Sequence, residues 1–190
     1  MIRFISFFLI LFSLCNLSMA NTNKAYFAGG CFWCVEEAFE KTPGVSEVIS
    51  GYTGGHLKNP TYEQVSHTET GHYEAVEVNY DSSKVSYDQL LDVFWKNIDP
   101  YNGQGQFCDI GSSYLSAIFY ENNDQLKAIE ESKKRLTNQD ISKFETHIKK
   151  FDVFYPAEDY HQNFYKKNPI RYKFYKTNCG RQQRLKKVWE

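Results

Sequence analysis

Net charge is almost absent from this sequence, in which 22 Lys and Arg stand against 23 Asp and Glu over 190 residues. That balance excludes a broad electrostatic footprint for nucleic acid or for an acidic membrane surface. Long hydrophobic runs are also missing. The longest apolar stretch, Phe4 to Leu14, is shorter than the roughly 20 residues a membrane-spanning helix needs. With Arg3 before it and Ser18-Met19-Ala20 after it, it reads as a cleavable export signal over residues 1–20. The expected destination is the periplasm or the cell exterior. Cys15 would leave with this segment, and Leu14 before it is not the small residue that lipid attachment favours.

A second close pair of metal ligands beside Cys31 and Cys34 is lacking too. His56, His67, His72, His147 and His161 are scattered singly, whereas zinc sites present their ligands in tight pairs. No metal and no bound organic cofactor are expected. A chain of this size buries about 70% of its unfolded surface, so it folds without a disulfide framework. Cys31, Cys34, Cys108 and Cys179 are therefore available for chemistry. No repeat and no linker interrupts residues 21–190, which read as one monomeric domain.

What is present is a readable alternation of elements. Ala25 to Ala28 is a short apolar run that ends in Gly29-Gly30, and Phe32, Val35 and Phe39 then recur at helical spacing. Val45 to Tyr52 suggests a strand, followed by a long polar loop from His56 to Gly71. From Tyr73 to Tyr80 the pattern alternates, with Glu74, Val76, Val78 and Tyr80 on one face and Glu77 on the other. Ser86 is placed to cap a helix whose stripe is Leu90, Leu91, Phe94, Trp95 and Ile98. Ser116 to Tyr120 reads as a further strand. The order β, α, β, β, α, β is that of an α+β, ferredoxin-like split βαβ two-layer sandwich. C-terminal additions follow: a helix capped by Asn123 and running through Arg135, a strand from His147 to Phe154, and an irregular tail whose cations between Arg171 and Lys187 are solvated.

Cys31 lies between a diglycine turn and the start of a helix, where free backbone amides and the helix dipole favour a thiolate. The plainer reading, a small buried cysteine, needs no glycine turn in front of it. Phe32 and Trp33 adjoin the thiol and suit a pocket for a methyl or thioether group, although Phe32 also belongs to the helical stripe. Glu74 sits on an apolar strand face, where lost hydration raises a carboxyl pKa and keeps a general acid protonated near neutrality. The competing reading is a salt-bridged strand carboxylate, with Glu77 as the comparison on the opposite face.

The run Gly30-Cys31-Phe32-Trp33 closely resembles the active-site signature of the A-type methionine sulfoxide reductases. The likeness continues through Gly51-Tyr52-Thr53-Gly54-Gly55-His56, Asn59-Pro60-Thr61-Tyr62 and Gly71-His72-Tyr73-Glu74-Ala75-Val76. It also covers Asp109-Ile110-Gly111-Ser112-Ser113-Tyr114 and Ala157-Glu158-Asp159-Tyr160-His161-Gln162. The resemblance implies attack by Cys31 on the sulfoxide sulfur, protonation of its oxygen by Glu74, and a polar pocket completed by Tyr62, Asp109 and Tyr114. It further implies the S epimer of methionine sulfoxide, free or in proteins, as substrate, and an external thioredoxin-like dithiol as electron donor. His161 is given a pocket-wall role rather than direct catalysis.

Attack would leave a sulfenic acid on Cys31, which a second thiol converts to a disulfide. Family members commonly keep that resolving thiol near the C-terminus, which favours Cys179; Cys34, one turn from Cys31, is the rival, and Cys108 reads as a bystander. A different enzyme class stays open as well, a thiol-disulfide oxidoreductase built on the Cys31-Phe32-Trp33-Cys34 pair.

Overall fold

The computed structural model describes residues 22–136 and 138–190, so the export signal read over residues 1–20 lies outside the described residues. Strand β1 (Thr22–Gly29) leads through Gly30 into helix α1 (Phe32–Glu40), then β2 (Val45–Thr53), the short helix α2 (Tyr62–His67) and β3 (Tyr73–Asp81). Helix α3 (Tyr87–Lys96), the two-residue strands β4 (Gly105–Gln106) and β5 (Asp109–Ile110), and β6 (Ser116–Tyr120) follow. The remainder is α4 (Asn123–Arg135), β7 (His147–Lys150), β8 (Phe154–Pro156), α5 (Phe164–Lys167), α6 (Pro169–Asn178) and α7 (Arg181–Trp189).

The main sheet has the order β7-β6-β1-β3-β2-β8, mixed because β7 runs parallel to β6 while the other pairs are antiparallel. β3 is central and its alternation buries two different faces. Val76 and Val78 join the main core with Phe27, Phe32, Phe39, Leu90, Leu91, Phe94, Trp95 and Ile98. Tyr73 and Ala75 point to the other side, with Tyr26, Ala28, Ala117 and Phe119. The α3 stripe read from the sequence is buried throughout, each member at 1% exposure or less. Each such leucine contributes roughly 2 kcal/mol by leaving water. Ser86 caps α3 in a reciprocal box with Gln89, and Asn122 rather than Asn123 caps α4.

Three expectations are corrected. The polar loop from His56 to Gly71 holds helix α2, which Thr61 and Gln64 start with a capping box. The strand expected from His147 to Phe154 is two strands on opposite edges of the sheet, β7 beside β6 and β8 beside β2. The tail is not irregular, and its cations are not all solvated. Pro169 opens α6, Gly180 with φ of +69° separates it from α7, and Tyr172 and Arg181 are buried. Composition concealed this because the buried face is built from aromatic and cationic side chains rather than from aliphatic ones.

Candidate active site

The site is assembled where β1 ends. Gly30 turns the chain at φ of +79°, and a Cβ there would stand 2.6 Å from Cβ of Gln106. Gln106 itself is buried and locks the Asp99 backbone, accepting from its N–H and donating to its carbonyl, both at 2.8 Å. This close packing sets Cys31 at the N-cap of α1.

Glu74 faces Cys31 from the adjacent strand position opposite Tyr52. Its Oε2 accepts the Phe32 N–H at 3.0 Å. Burial pushes its pKa up to about 8 against that hydrogen bond, with the nearby Asp109 and Cys34 charges adding to the rise. The general-acid expectation therefore has a structural cause. Glu77 takes the other course, bonded to Lys24 at 2.7 Å and to the Tyr26 hydroxyl at 3.0 Å.

Cys31, Phe32, Trp33, Tyr62, Glu74, Asp109 and Tyr114 line one cavity of about 60 Å³. That is room for about two water molecules, or for the methyl sulfoxide end of a side chain. Tyr175, which the sequence reading missed, completes the wall. Its hydroxyl donates to Oδ2 of Asp109 and also contacts the Cys31 sulfur. Tyr62 and Tyr114 are hydrogen-bonded to each other, and burial raises the pKa of both phenols, so they remain donors. Glu158 anchors this side by accepting the Tyr62 N–H and the Tyr52 hydroxyl, each at 2.8 Å.

The thiolate expected at Cys31 is corrected. Burial raises its pKa, and hydrogen bonding to Cys34 together with the Glu74 and Asp109 charges raises it further. The amides that would have stabilised a thiolate are engaged by carboxylates, Phe32 N–H by Glu74 and Cys31 N–H by Asp109. Cys34 carries the opposite bias, held at about 6 by the Cys31 hydrogen bond, the Arg181 and Lys176 charges and the Tyr172 hydroxyl.

Cys179 is not a free thiol, because it forms a disulfide with Cys108 across 71 residues. The bystander reading of Cys108 is thereby corrected, and Cys179, read as the resolving thiol, is paired with it beside Asp109. The even number of cysteines left once Cys15 is set aside with residues 1–20 was the available signal. Cys31 and Cys34 are free and buried. Among the described residues, the one group with metal-ligand proximity is Cys108, Asp109 and Cys179, and its sulfurs are bonded to each other. His161 stands behind the pocket at 2% exposure, where its Nδ1 accepts from the Trp33 indole at 3.2 Å and burial lowers its pKa. Trp33 also stacks on Phe164 with ring centres 3.7 Å apart.

Residues 23–190 match the family model described as peptide methionine sulfoxide reductase. A peptide methionine sulfoxide reductase of Bacillus subtilis is 50% identical over 167 residues, covering 87% of this chain and 94% of that protein. In solved structures, methionine sulfoxide reductase A of Corynebacterium diphtheriae superposes with a TM-score of 0.71 at 32% identity, covering 80% of this chain and 78% of that one. The reduced form of Mxr1 from Saccharomyces cerevisiae gives 0.74 at 27% identity, covering 78% and 87%.

Proposed function

The chain belongs to the A-type peptide methionine sulfoxide reductases, and from that premise we propose how its side chains divide the work of reducing methionine sulfoxide to methionine. The observation that carries the assignment is the buried Glu74 carboxyl in the same small cavity as Cys31, where burial pushes its pKa up to about 8. The methyl group of the substrate lies against Phe32 and Trp33. Cys31 attacks the sulfoxide sulfur while Glu74 gives its proton to the oxygen, and the Tyr62 and Tyr114 hydroxyls steady the charge that develops there. Asp109 and Tyr175 hold Cys31 in line. The products are methionine and a sulfenic acid on Cys31.

Cys34 then resolves the sulfenic acid, releasing water and leaving a Cys31–Cys34 disulfide. Its hydrogen bond to Cys31 and its thiolate bias support this order over Cys179. A thioredoxin-like dithiol returns the electrons, and no bound metal or organic cofactor takes part. The further readings are the S epimer as substrate, free or protein-bound, a monomer, and one domain over residues 21–190. Export by residues 1–20 to the periplasm or the exterior rests on the Arg3, Phe4 to Leu14 and Ser18-Met19-Ala20 pattern. The strand order β6-β1-β3-β2 with α1 and α3 on one face supports a ferredoxin-like split βαβ core.

Reduction of each methionine sulfoxide epimer with dithiothreitol tests the scheme. The expected result is turnover of the S epimer by wild type and none by Cys31→Ser. Equal activity of the two proteins would overturn it, and a disulfide map after one equivalent of substrate reads the Cys31–Cys34 bond directly.

A further inference from the structure

Glu36 is a buried acid that the reaction does not use. It lies on α1, five residues beyond Cys31, and is fully shielded from solvent. Its Oε1 accepts the Asn163 N–H at 2.9 Å, and its Oε2 has no partner. A buried carboxyl with one hydrogen bond and one orphaned oxygen costs stability. Its contribution lies in what that one bond holds in place. Asn163 ends the segment that crosses from β8 to α5. Gln162 ties the segment to β2, accepting the Ser50 N–H at 3.0 Å and donating to the Ser50 and Ala157 carbonyls at 2.8 Å each.

Asn163 itself is in the left-handed region at φ of +56°, a conformation that needs support from its surroundings. Helix α5, which it starts, has four residues and no side-chain cap, too few to hold a helix by themselves. The Glu36 carboxyl therefore fixes the start of α5, whose first residue is Phe164. Phe164 is buried and does not line the cavity. Its ring lies against Trp33 with planes 7° from parallel and centres 3.7 Å apart. The same segment supplies His161, which accepts the Trp33 indole N–H. Trp33, a wall of the cavity, is thus backed on its face by Phe164 and held at its edge by His161.

We propose that Glu36 is a positioning residue for the S-alkyl group of the substrate: by fixing Phe164 behind Trp33, it sizes the cavity for a methyl rather than an ethyl sulfoxide. The idea rests on the reading that the substrate methyl lies against Phe32 and Trp33. A cavity of about 60 Å³ has little room beyond the methyl sulfoxide end. With Phe164 in contact behind Trp33, one more methylene fits only if the indole moves, and the indole moves only if α5 does. Glu36 does not line the cavity, so it acts through the segment and not on the substrate.

The experiment compares steady-state reduction of methionine sulfoxide and ethionine sulfoxide, each as its S epimer, with dithiothreitol as reductant. Wild type should favour the methyl compound in kcat/KM by about ten-fold or more, the usual worth of one methylene in a close-fitting pocket. Glu36→Met fills the buried site with a side chain of similar size but cannot accept the Asn163 N–H. It should cut the preference to about two-fold and raise KM for methionine sulfoxide by about five-fold, with kcat within about two-fold of wild type. Glu36→Gln, which can still accept that N–H, should behave as wild type. Phe164→Ala should lose the preference without touching Glu36, and a preference that it leaves intact overturns the proposal even if Glu36→Met fails to fold. Trp33→Leu separates the two ideas. An unchanged preference there refutes the placement of the methyl group against Trp33 and, with it, this role. A preference lost in Trp33→Leu but kept in folded Glu36→Met, or lost equally in Glu36→Met and Glu36→Gln, would overturn the role of Glu36 and leave that placement standing. Equal treatment of the two sulfoxides by wild type would overturn it as well.

Discussion

At the residue scale, two carboxyls of similar burial do different work because their partners differ. Glu74 meets a single backbone donor and holds its proton up to about pH 8. Glu77 meets a lysine, a phenol and an amide. Glu74→Gln should therefore reduce kcat by roughly 10²-fold to 10⁴-fold, the usual worth of a positioned general acid. Glu77→Gln should leave most of the rate, since it lies outside the cavity. Wild-type turnover should fall as pH rises through about 8, and this alkaline limb should be missing from the residual activity of Glu74→Gln. A pH-rate series on the three proteins checks all of this.

Glu36 is a further buried acid with a pH consequence. Burial raises its pKa to about 7, while its Oε1 accepts the Asn163 N–H at 2.9 Å and its Oε2 has no partner. A folded pKa above the unfolded value means that its favourable contribution is complete below about pH 4.5 and is lost as pH climbs through about 7. Glu36→Gln should then raise Tm more at about pH 8 than at about pH 5, as thermal melts at the two values would show. The opposite ordering would mean that Glu36 is folded as a carboxylate.

At the element scale, the site depends on one turn and one unexpected helix. Gly30→Ala would need both a positive φ and space already filled by Gln106, so a loss of about 1–3 kcal/mol in stability is expected from chemical unfolding. Activity should fall as well, because the same turn aims Cys31. Helix α6 brings Tyr175 to the cavity wall, and it does so from a segment with no aliphatic stripe. Tyr175→Phe keeps the ring against Trp33 but removes the bond to Asp109, whose carboxylate then draws the Cys31 region less firmly into line. The expected outcome is a loss of kcat with little change in Tm, measured by steady-state kinetics and melting. In contrast, α1 and α3 were legible because Val35, Phe39, Leu91 and Phe94 repeat at a spacing that puts them on one side of a helix.

At the scale of the whole molecule, the Cys108–Cys179 disulfide ties the C-terminal helices to the strand pair that carries Asp109. A covalent link across 71 residues restricts the unfolded chain, which the chain-entropy account values at about 4 kcal/mol. Replacing both cysteines by serine should lower the stability measured in urea by up to about that amount. Reduction of the sulfoxide by dithiothreitol should persist, since Cys31 and Cys34 are untouched. A double variant without turnover would show that the disulfide pair, rather than Cys34, completes the redox cycle.

The sequence by itself determined the order of the central elements, the cysteine at the helix start and the carboxyl on the apolar strand face, because each is a local pattern of turn, period and residue type. Seven of the cavity side chains were also readable, through the run around Cys31 and the motifs that accompany it. Only the tertiary structure decided the rest. Whether Cys31 or Cys34 holds the proton depends on which amides the two carboxylates have already taken, and those carboxylates come from strands far apart in the chain. Cys179 pairs with Cys108, and Tyr175 reaches Asp109, only because α6 folds back against α1. Charge, burial and pairing at a site are properties of what surrounds it in space, and no local spacing records them.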